Sequence, residues 1–285
     1  MASATMTPRF SGMKYRVVNT LGSGAGSTIL QIADKNGGKR YALKVVRKQE
    51  PEDDIYIDQA RTEYDAAQKL NHPAIAKVYD LRLKKAWLVK VVGAELLMEY
   101  VDGKTLDEIE APELSQLVLM FSQVASALAH MHRRGVYHGD LKPSNIMLTR
   151  GGQVKLIDFG TAWVRGVDKN RVQGTPQYIA PEQASERVVN ERTDVYNFGA
   201  TMYRMFTGRY VQSDIPRAGV ERKVVPVNQI NPRIPSRLNK LILDCLSLAP
   251  DKRPAGMSEI RDALSAVIKE MGLEEAELRG ADDED

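Results

Sequence analysis

The chain has 285 residues, 43% hydrophobic and 27% charged, which is ordinary globular composition with apolar material for one or two cores. The net charge of +3 divides unevenly: residues 271–285 hold seven acids and one Arg, so the preceding 270 residues carry +9 by difference. That excess is too diffuse for a nucleic-acid-binding surface, and a single cysteine, Cys245, excludes an internal disulfide or a multi-cysteine metal site.

In chain order, residues 1–12 are small and polar and read as a loose arm. Strands are expected at 15–21, 27–33 and 40–47, with Asn36-Gly37-Gly38 as a hairpin turn between the last two. A helix at 55–70 ends at Asn71-His72-Pro73, and strands follow at 75–83 and 95–100. Beyond Val101-Asp102-Gly103 the pattern turns helical. Leu114, Leu117, Val118, Phe121, Val124, Ala125 and Leu128 recur at threes and fours and mark one apolar helix face. Further helices are expected at 193–206, 237–246 and 258–271, the last with Ser258 as N-cap. Cys245 falls in an apolar helical run and reads as a buried structural thiol. No stretch approaches the ~20 apolar residues that span a bilayer, and a signal-peptide core is lacking, so a cytoplasmic protein without a membrane span is expected. The acidic end, 272–285, reads as a disordered, solvated tail.

Three segments carry candidate chemistry. Leu21-Gly22-Ser23-Gly24-Ala25-Gly26-Ser27-Thr28-Ile29 lies between two expected strands, where glycines let backbone N–H groups approach phosphates. Such a cluster alone equally fits a plain glycine-rich hairpin, and its place before a strand argues against a Rossmann turn or a Walker loop. Lys44 stands within the apolar strand Tyr41-Ala42-Leu43-Lys44-Val45 and calls for an anionic partner, with Glu63 or Asp65 on the next helix as candidates. The densest segment is His138-Gly139-Asp140-Leu141-Lys142-Pro143-Ser144-Asn145, followed thirteen residues later by Asp158-Phe159-Gly160. Two acids and an amide at strand ends suit oxygen-seeking divalent cations, and an acid or lysine beside them can orient a hydroxyl and balance phosphate charge.

In this order the segments closely resemble those of protein kinases, over residues 13–271, and most nearly the bacterial Hanks-type serine/threonine kinases. Glu99-Tyr100-Val101 resembles the hinge, Gly174-Thr175-Pro176 through Ala180-Pro181-Glu182 the end of an activation segment, Asp194-Val195-Tyr196-Asn197-Phe198-Gly199 the central helix of the larger lobe, and Asp251-Lys252-Arg253-Pro254 the segment whose Arg pairs with Glu182. The resemblance implies an α+β, bilobal kinase fold, with a mostly-β lobe over 13–101 and a mostly-α lobe over 102–271. It implies that Lys44, held by Glu63, contacts the ATP phosphates beneath the glycine loop. Leu21, Gly22, Gly24, Gly26, Ile29 and Ala42, with Met98 as gatekeeper and Glu99 and Val101 at the hinge, would complete the nucleotide contacts. Asn145 and Asp158 would hold Mg²⁺, with Mn²⁺ as substitute; Asp140 would orient the substrate hydroxyl, Lys142 would neutralise the γ-phosphate, and His138 would be structural. The implied partners are protein substrates and ATP, and the sequence carries no signal for an oligomeric state.

Two departures stand out. Ser27 replaces the loop's third glycine and Gly26 its usual aromatic. Gly139 replaces the Arg that receives an activation-loop phosphate in regulated kinases, and the 25-residue segment 158–182 has only Thr161, Thr175 and Tyr178 as hydroxyl residues. The expectation is an enzyme active without loop phosphorylation. The competing readings are a small-molecule phosphotransferase of the aminoglycoside-kinase type, which shares His-Gly-Asp, and a nucleotide-binding pseudokinase scaffold. Lys142 and Thr175 favour Ser/Thr protein substrates.

Overall fold

A computed structural model of the chain describes residues 9–10, 13–24, 26–35, 38–87, 90–110, 112–165, 173–211 and 224–273. The chain forms two compact units, one from residues 1–71, 76–102 and 158–160, the other from 72–75, 103–157 and 161–285. The turn residues Asn36 and Gly37, and the acidic tail from 274 on, lie outside the described residues.

The first unit is an antiparallel sheet of β1 (Tyr15–Gly24), β2 (Ser27–Asp34), β3 (Arg40–Arg47), β4 (Val78–Ala86) and β5 (Lys90–Glu99), ordered β1-β2-β3-β5-β4, with α1 (Asp54–Ala67) against it. Side chains alternate along β3. Tyr41 and Leu43 pack with Ile32 and Leu97 on one face, while Val46 on the other meets Ile57 and Ala60 of α1. Glu63 lies on the same helix face as Ile57, Ala60 and Ala67, all buried. Phe10 corrects the loose-arm expectation at its position: its ring is buried in the sheet's outer cluster, its N–H donates to Asp80 Oδ2 at 2.8 Å, and Arg82 stacks on it. The strand expected from 75 begins at Val78, because the backbone at Ala74 and Ile75 is engaged elsewhere: Ala74 C=O accepts the Leu156 N–H and Ile75 bridges Leu156. β5 starts five residues earlier than expected, and Glu95 within it is covered by Arg82 and Lys84 across the strand pair.

The second unit adds β6 (Gly103–Thr105), α2 (Leu114–Arg133), β7 (Val136–Tyr137), β8 (Ile146–Thr149), β9 (Val154–Leu156), β10 (Trp163–Val164), α3 (Pro181–Ser185), α4 (Glu191–Thr207), α5 (Val227–Ile230), α6 (Ser236–Cys245) and α7 (Met257–Glu270). β6-β8-β9 and β10-β7 form two small sheets. α2 is the core: Phe121 meets Phe198 and Phe206 of α4 at ring distances of 5.4 and 5.6 Å. Contrary to expectation, α2 is long and apolar enough to cross a bilayer, but 72% of its most apolar window is buried inside the unit, as befits a core helix. Gly199 lets α4 approach α6, since a Cβ there would lie 2.6 Å from that of Cys245. Cys245 is fully buried, and burial pushes its thiol pKa up. Ser258 is not the cap expected of it. α7 begins at Met257, and the Ala255 N–H is satisfied by Glu259 Oε2 at 2.6 Å.

Candidate active site

The glycine stretch is part of the sheet rather than a free loop. β1 runs through Leu21, Gly22, Ser23 and Gly24, and Gly24 pairs with Ser27. Gly26 takes φ +74°, the left-handed value such a tight hairpin requires, and a side chain there would run into the Tyr56 ring on α1. Added Cβ atoms at Gly22 and Gly24 would meet open space. Register places Ile29 between Gly22 and Lys44, and Ala42 beside Met98. Val101 is buried just beyond β5. The Glu99 N–H donates to Lys77 C=O at 2.8 Å, which narrows a backbone contact at Glu99 to its carbonyl.

Lys44 projects from β3 between two acids, donating to Glu63 Oε2 at 2.8 Å and Asp158 Oδ1 at 3.2 Å. The partner on α1 is thus Glu63 and not Asp65. Burial pulls the Lys44 pKa down, but the two carboxylates outweigh it and hold the ammonium above its ordinary value. Glu63 is 1% exposed, and burial pushes its carboxyl up against the opposing pull of Lys44. Asp158 differs from Glu63: its side chain is half exposed and its backbone sits at φ +63°, uncommon for a non-glycine residue. One ammonium between two carboxylates leaves a negative excess on the solvent side.

In the second unit, the loop after β7 is fixed from several directions. Asp140 Oδ1 accepts the Thr175 N–H at 2.7 Å, and its Oδ2 lies 3.0 Å from Lys142 Nζ. Lys142 also donates to Thr175 Oγ1 at 2.9 Å, closing a three-membered cycle of side chains and backbone. Asn145, buried, donates its amide to the Asp140 carbonyl at 2.9 Å, which turns the amide oxygen the other way. Behind the loop, Asp194 of α4 is fully buried. Its carboxylate accepts the His138 and Gly139 N–H groups and His132 Nε2, each at 2.8 Å. Burial alone would push the Asp194 pKa up, but these bonds and the neighbouring histidines hold it below its ordinary value. His138 is buried, and its Nδ1 accepts the Asp140 N–H at 3.3 Å, a supporting geometry. Glu182 and Arg253 form a bidentate buried pair at 2.7 and 2.8 Å.

A family model described as the protein kinase domain matches residues 15–265. The chain belongs to the protein kinase family. Among its curated relatives are probable serine/threonine-protein kinases of Clostridium acetobutylicum, 32% identical over 272 residues (89% of this chain, 40% of that protein), and of Streptomyces coelicolor, 34% identical over 279 residues (92% and 41%). The serine/threonine-protein kinase PknA of Mycobacterium tuberculosis is 32% identical over 278 residues, 92% of this chain and 64% of that protein. The chain thus spans about two fifths of the length of the first two relatives. Protein kinases use ATP and divalent metal ions, and the half-exposed Asp158 carboxylate and the outward-turned Asn145 amide oxygen are each oxygen donors of the kind hard cations prefer. Among the described residues no group of three or more His, Cys, Asp or Glu could hold a metal ion. Two residues that brace the loop after β7, Gln183 and Asp194, have no such role assigned in the sequence. Their partners on this loop lie forty-four to fifty-six residues away, where no local pattern points to them.

Proposed function

We propose that the chain is an ATP-dependent serine/threonine protein kinase whose activity does not require activation-loop phosphorylation. The observation that carries the reading is the cycle of Asp140, Lys142 and Thr175: a carboxylate fixed by a backbone N–H at 2.7 Å, with a lysine bridging it to a threonine hydroxyl. Asp140 is held so that it can accept a substrate hydroxyl's proton as that oxygen attacks phosphorus. Lys142 sets a positive charge where the transferred phosphoryl group's charge must be balanced. Lys44, kept cationic by Glu63 and Asp158, serves as an electrostatic partner for the phosphates of the nucleotide. Mg²⁺, or Mn²⁺ in its place, would be held by Asp158 and Asn145 and would supply charge neutralisation on phosphate oxygens.

Protein rather than small-molecule substrates are favoured by the names of the relatives and by an open cavity of about 550 Å³ in the second unit, lined by Lys142, Thr175, Ile109, Tyr178 and Tyr210. Phosphate independence is supported by the state of the three hydroxyls. Tyr178 is buried, Thr175 Oγ1 is bonded to Lys142, and Thr161 Oγ1 donates to the His138 carbonyl at 3.4 Å.

Transfer of radiolabelled phosphate to a generic protein, followed by phosphoamino-acid analysis, tests the reading. Phosphoserine or phosphothreonine is expected, and its loss in Asp140→Asn. Label on an aminoglycoside alone, or ATP binding without turnover, would overturn it. Phosphatase-treated enzyme is expected to keep its initial rate; a rate lost and then restored by autophosphorylation would overturn the second half of the reading.

A further inference from the structure

Gln183 is the third residue of α3, 1% exposed, and its amide nitrogen donates to two backbone carbonyls, Gly139 at 2.5 Å and Gln173 at 2.7 Å. Its Oε1 faces the Ala180 N–H at 3.3 Å and Asn197 Nδ2 at 3.4 Å. These neighbours fix the amide's orientation, because the reversed group would set its oxygen against two carbonyl oxygens. Gly139 immediately precedes Asp140, and Gln173 stands two residues before Thr175, whose N–H holds the Asp140 carboxylate. One buried amide therefore ties together the two stretches of chain that carry Asp140 and Thr175. Gly174 between them sits at φ +128°, and a Cβ there would come within 2.9 Å of Gln183 Nε2 and 3.4 Å of the Gly139 carbonyl. Only glycine lets the segment close on the catalytic loop at this distance.

Gly139 itself is closed at both ends, its N–H on Asp194 and its carbonyl on Gln183. In a position this buried, a primary amide supplies two donors with no charge to desolvate, whereas an arginine would need an anion brought to it. We propose that Gln183 is a neutral latch. It is a positioning residue that holds the end of the activation segment against the catalytic loop, so that no phosphate–arginine pair has to. The proposal rests on the kinase reading above and gives its phosphate independence a physical cause.

The test uses the whole dephosphorylated chain and two substitutions of similar length, Gln183→Met, which has no donor, and Gln183→Glu, which has at most one. In both, kcat/KM for a protein substrate is expected to fall about tenfold or more, with KM for ATP held within about twofold. Amide exchange at Thr175, Tyr178 and Ile179 is expected to quicken while buried α4 amides keep their rates. Loss of stability alone would instead quicken α4 together with the segment. Unchanged kcat/KM and exchange in Gln183→Met, or quickening spread evenly through α4, would overturn the latch. Should Gln183→Met not fold, Gly174→Ala carries the same test, because its Cβ displaces Gln183 Nε2; the same localised quickening is expected, and its absence is decisive against the proposal. Phosphatase treatment of the unsubstituted chain is a separate arm. A rate lost there overturns phosphate independence, while the latch stands or falls on the exchange pattern.

Discussion

In the first unit functional charge is held by charge: Lys44 stands between a buried Glu63 and a half-exposed Asp158, with one negative charge in excess. In the second unit the catalytic loop is held mostly by backbone N–H groups and neutral amides, through Asp194, Gln183, Asn145 and Thr175. The difference follows from what each must do. For the phosphate role proposed for Lys44, the ammonium has to be kept charged in a partly dry place yet remain able to change partners, and a half-exposed second acid permits that exchange. A loop that must present one carboxylate at a fixed angle gains more from short, directional bonds in a dry interior, where misalignment is costly.

The comparison is tested most severely by removing a single proton acceptor. Asp140→Asn keeps the shape and the Asn145 bond to the main chain, so folding should persist while kcat falls by about 10²–10⁴. Unaltered phosphate transfer would break the assignment. Lys44→Met comes next. It should abolish most transfer and also destabilise the chain by about 3–5 kcal/mol, because Glu63 is left buried without its cation. Lys44→Met with Glu63→Gln should regain stability in urea unfolding but not activity. A double variant as unstable as the single one would show that charge is not what holds this unit.

Arg253 offers the counter-case of a fully dry ion pair. Its side chain is 0% exposed, grips both oxygens of Glu182 and also donates to the Ser247 and Arg192 carbonyls. Arg253→Met should cost about 3–5 kcal/mol, read as a lower urea midpoint. Any loss of activity should follow the unfolded fraction, in contrast to Lys44→Met, whose inactivity should persist where the protein is folded.

What the sequence made legible depended on locality. The heptad-like run in α2, the lysine within β3 and the Asp140–Asn145 and Asp158–Gly160 clusters are each contained in a few turns or one loop, so their pattern is visible without coordinates. The short strands β6 to β10 span two to four residues and are too brief for any alternation to register. Phe10 is one apolar residue in a polar stretch, and its place in the sheet's cluster is set by Asp80 and Arg82, seventy residues on. Asp194 was visible only as part of a motif, and Gln183 had no role assigned in the sequence. Their bonds reach back fifty-five and forty-four residues, and only the folded chain brings the partners together. The groups proposed to react were thus visible as local clusters and the framework that braces them was not, since such clusters lie in single loops while the bracing groups come from distant elements.

The smallest effect concerns the acid side of stability, where the second unit's dry network should show itself in two steps. His130 is buried on α2 against His72, ring centroids 5.2 Å apart. Burial first, then the charges of Arg134, His72 and Arg133, lowers its pKa from 6.5 to about 4. The folded state therefore binds this proton later than the unfolded state does, and the stability it carries is complete above pH ~6.5 and lost as pH falls toward ~4. His130→Gln should flatten that part of the stability–pH curve by ~1–2 kcal/mol at most, with some slope left because burial also lowers His72. Asp194 acts lower still. Its pKa is depressed in the fold, so its contribution is present above the ordinary carboxylate value and disappears only as pH falls through the folded one. Denaturant midpoints measured from pH 7 to pH 3 should then show a flattened upper step in His130→Gln and an unchanged lower one. A curve in which both steps vanish together would mean that His130 and the Asp194 anchor titrate as one unit, and that the network behind the catalytic loop extends through α2.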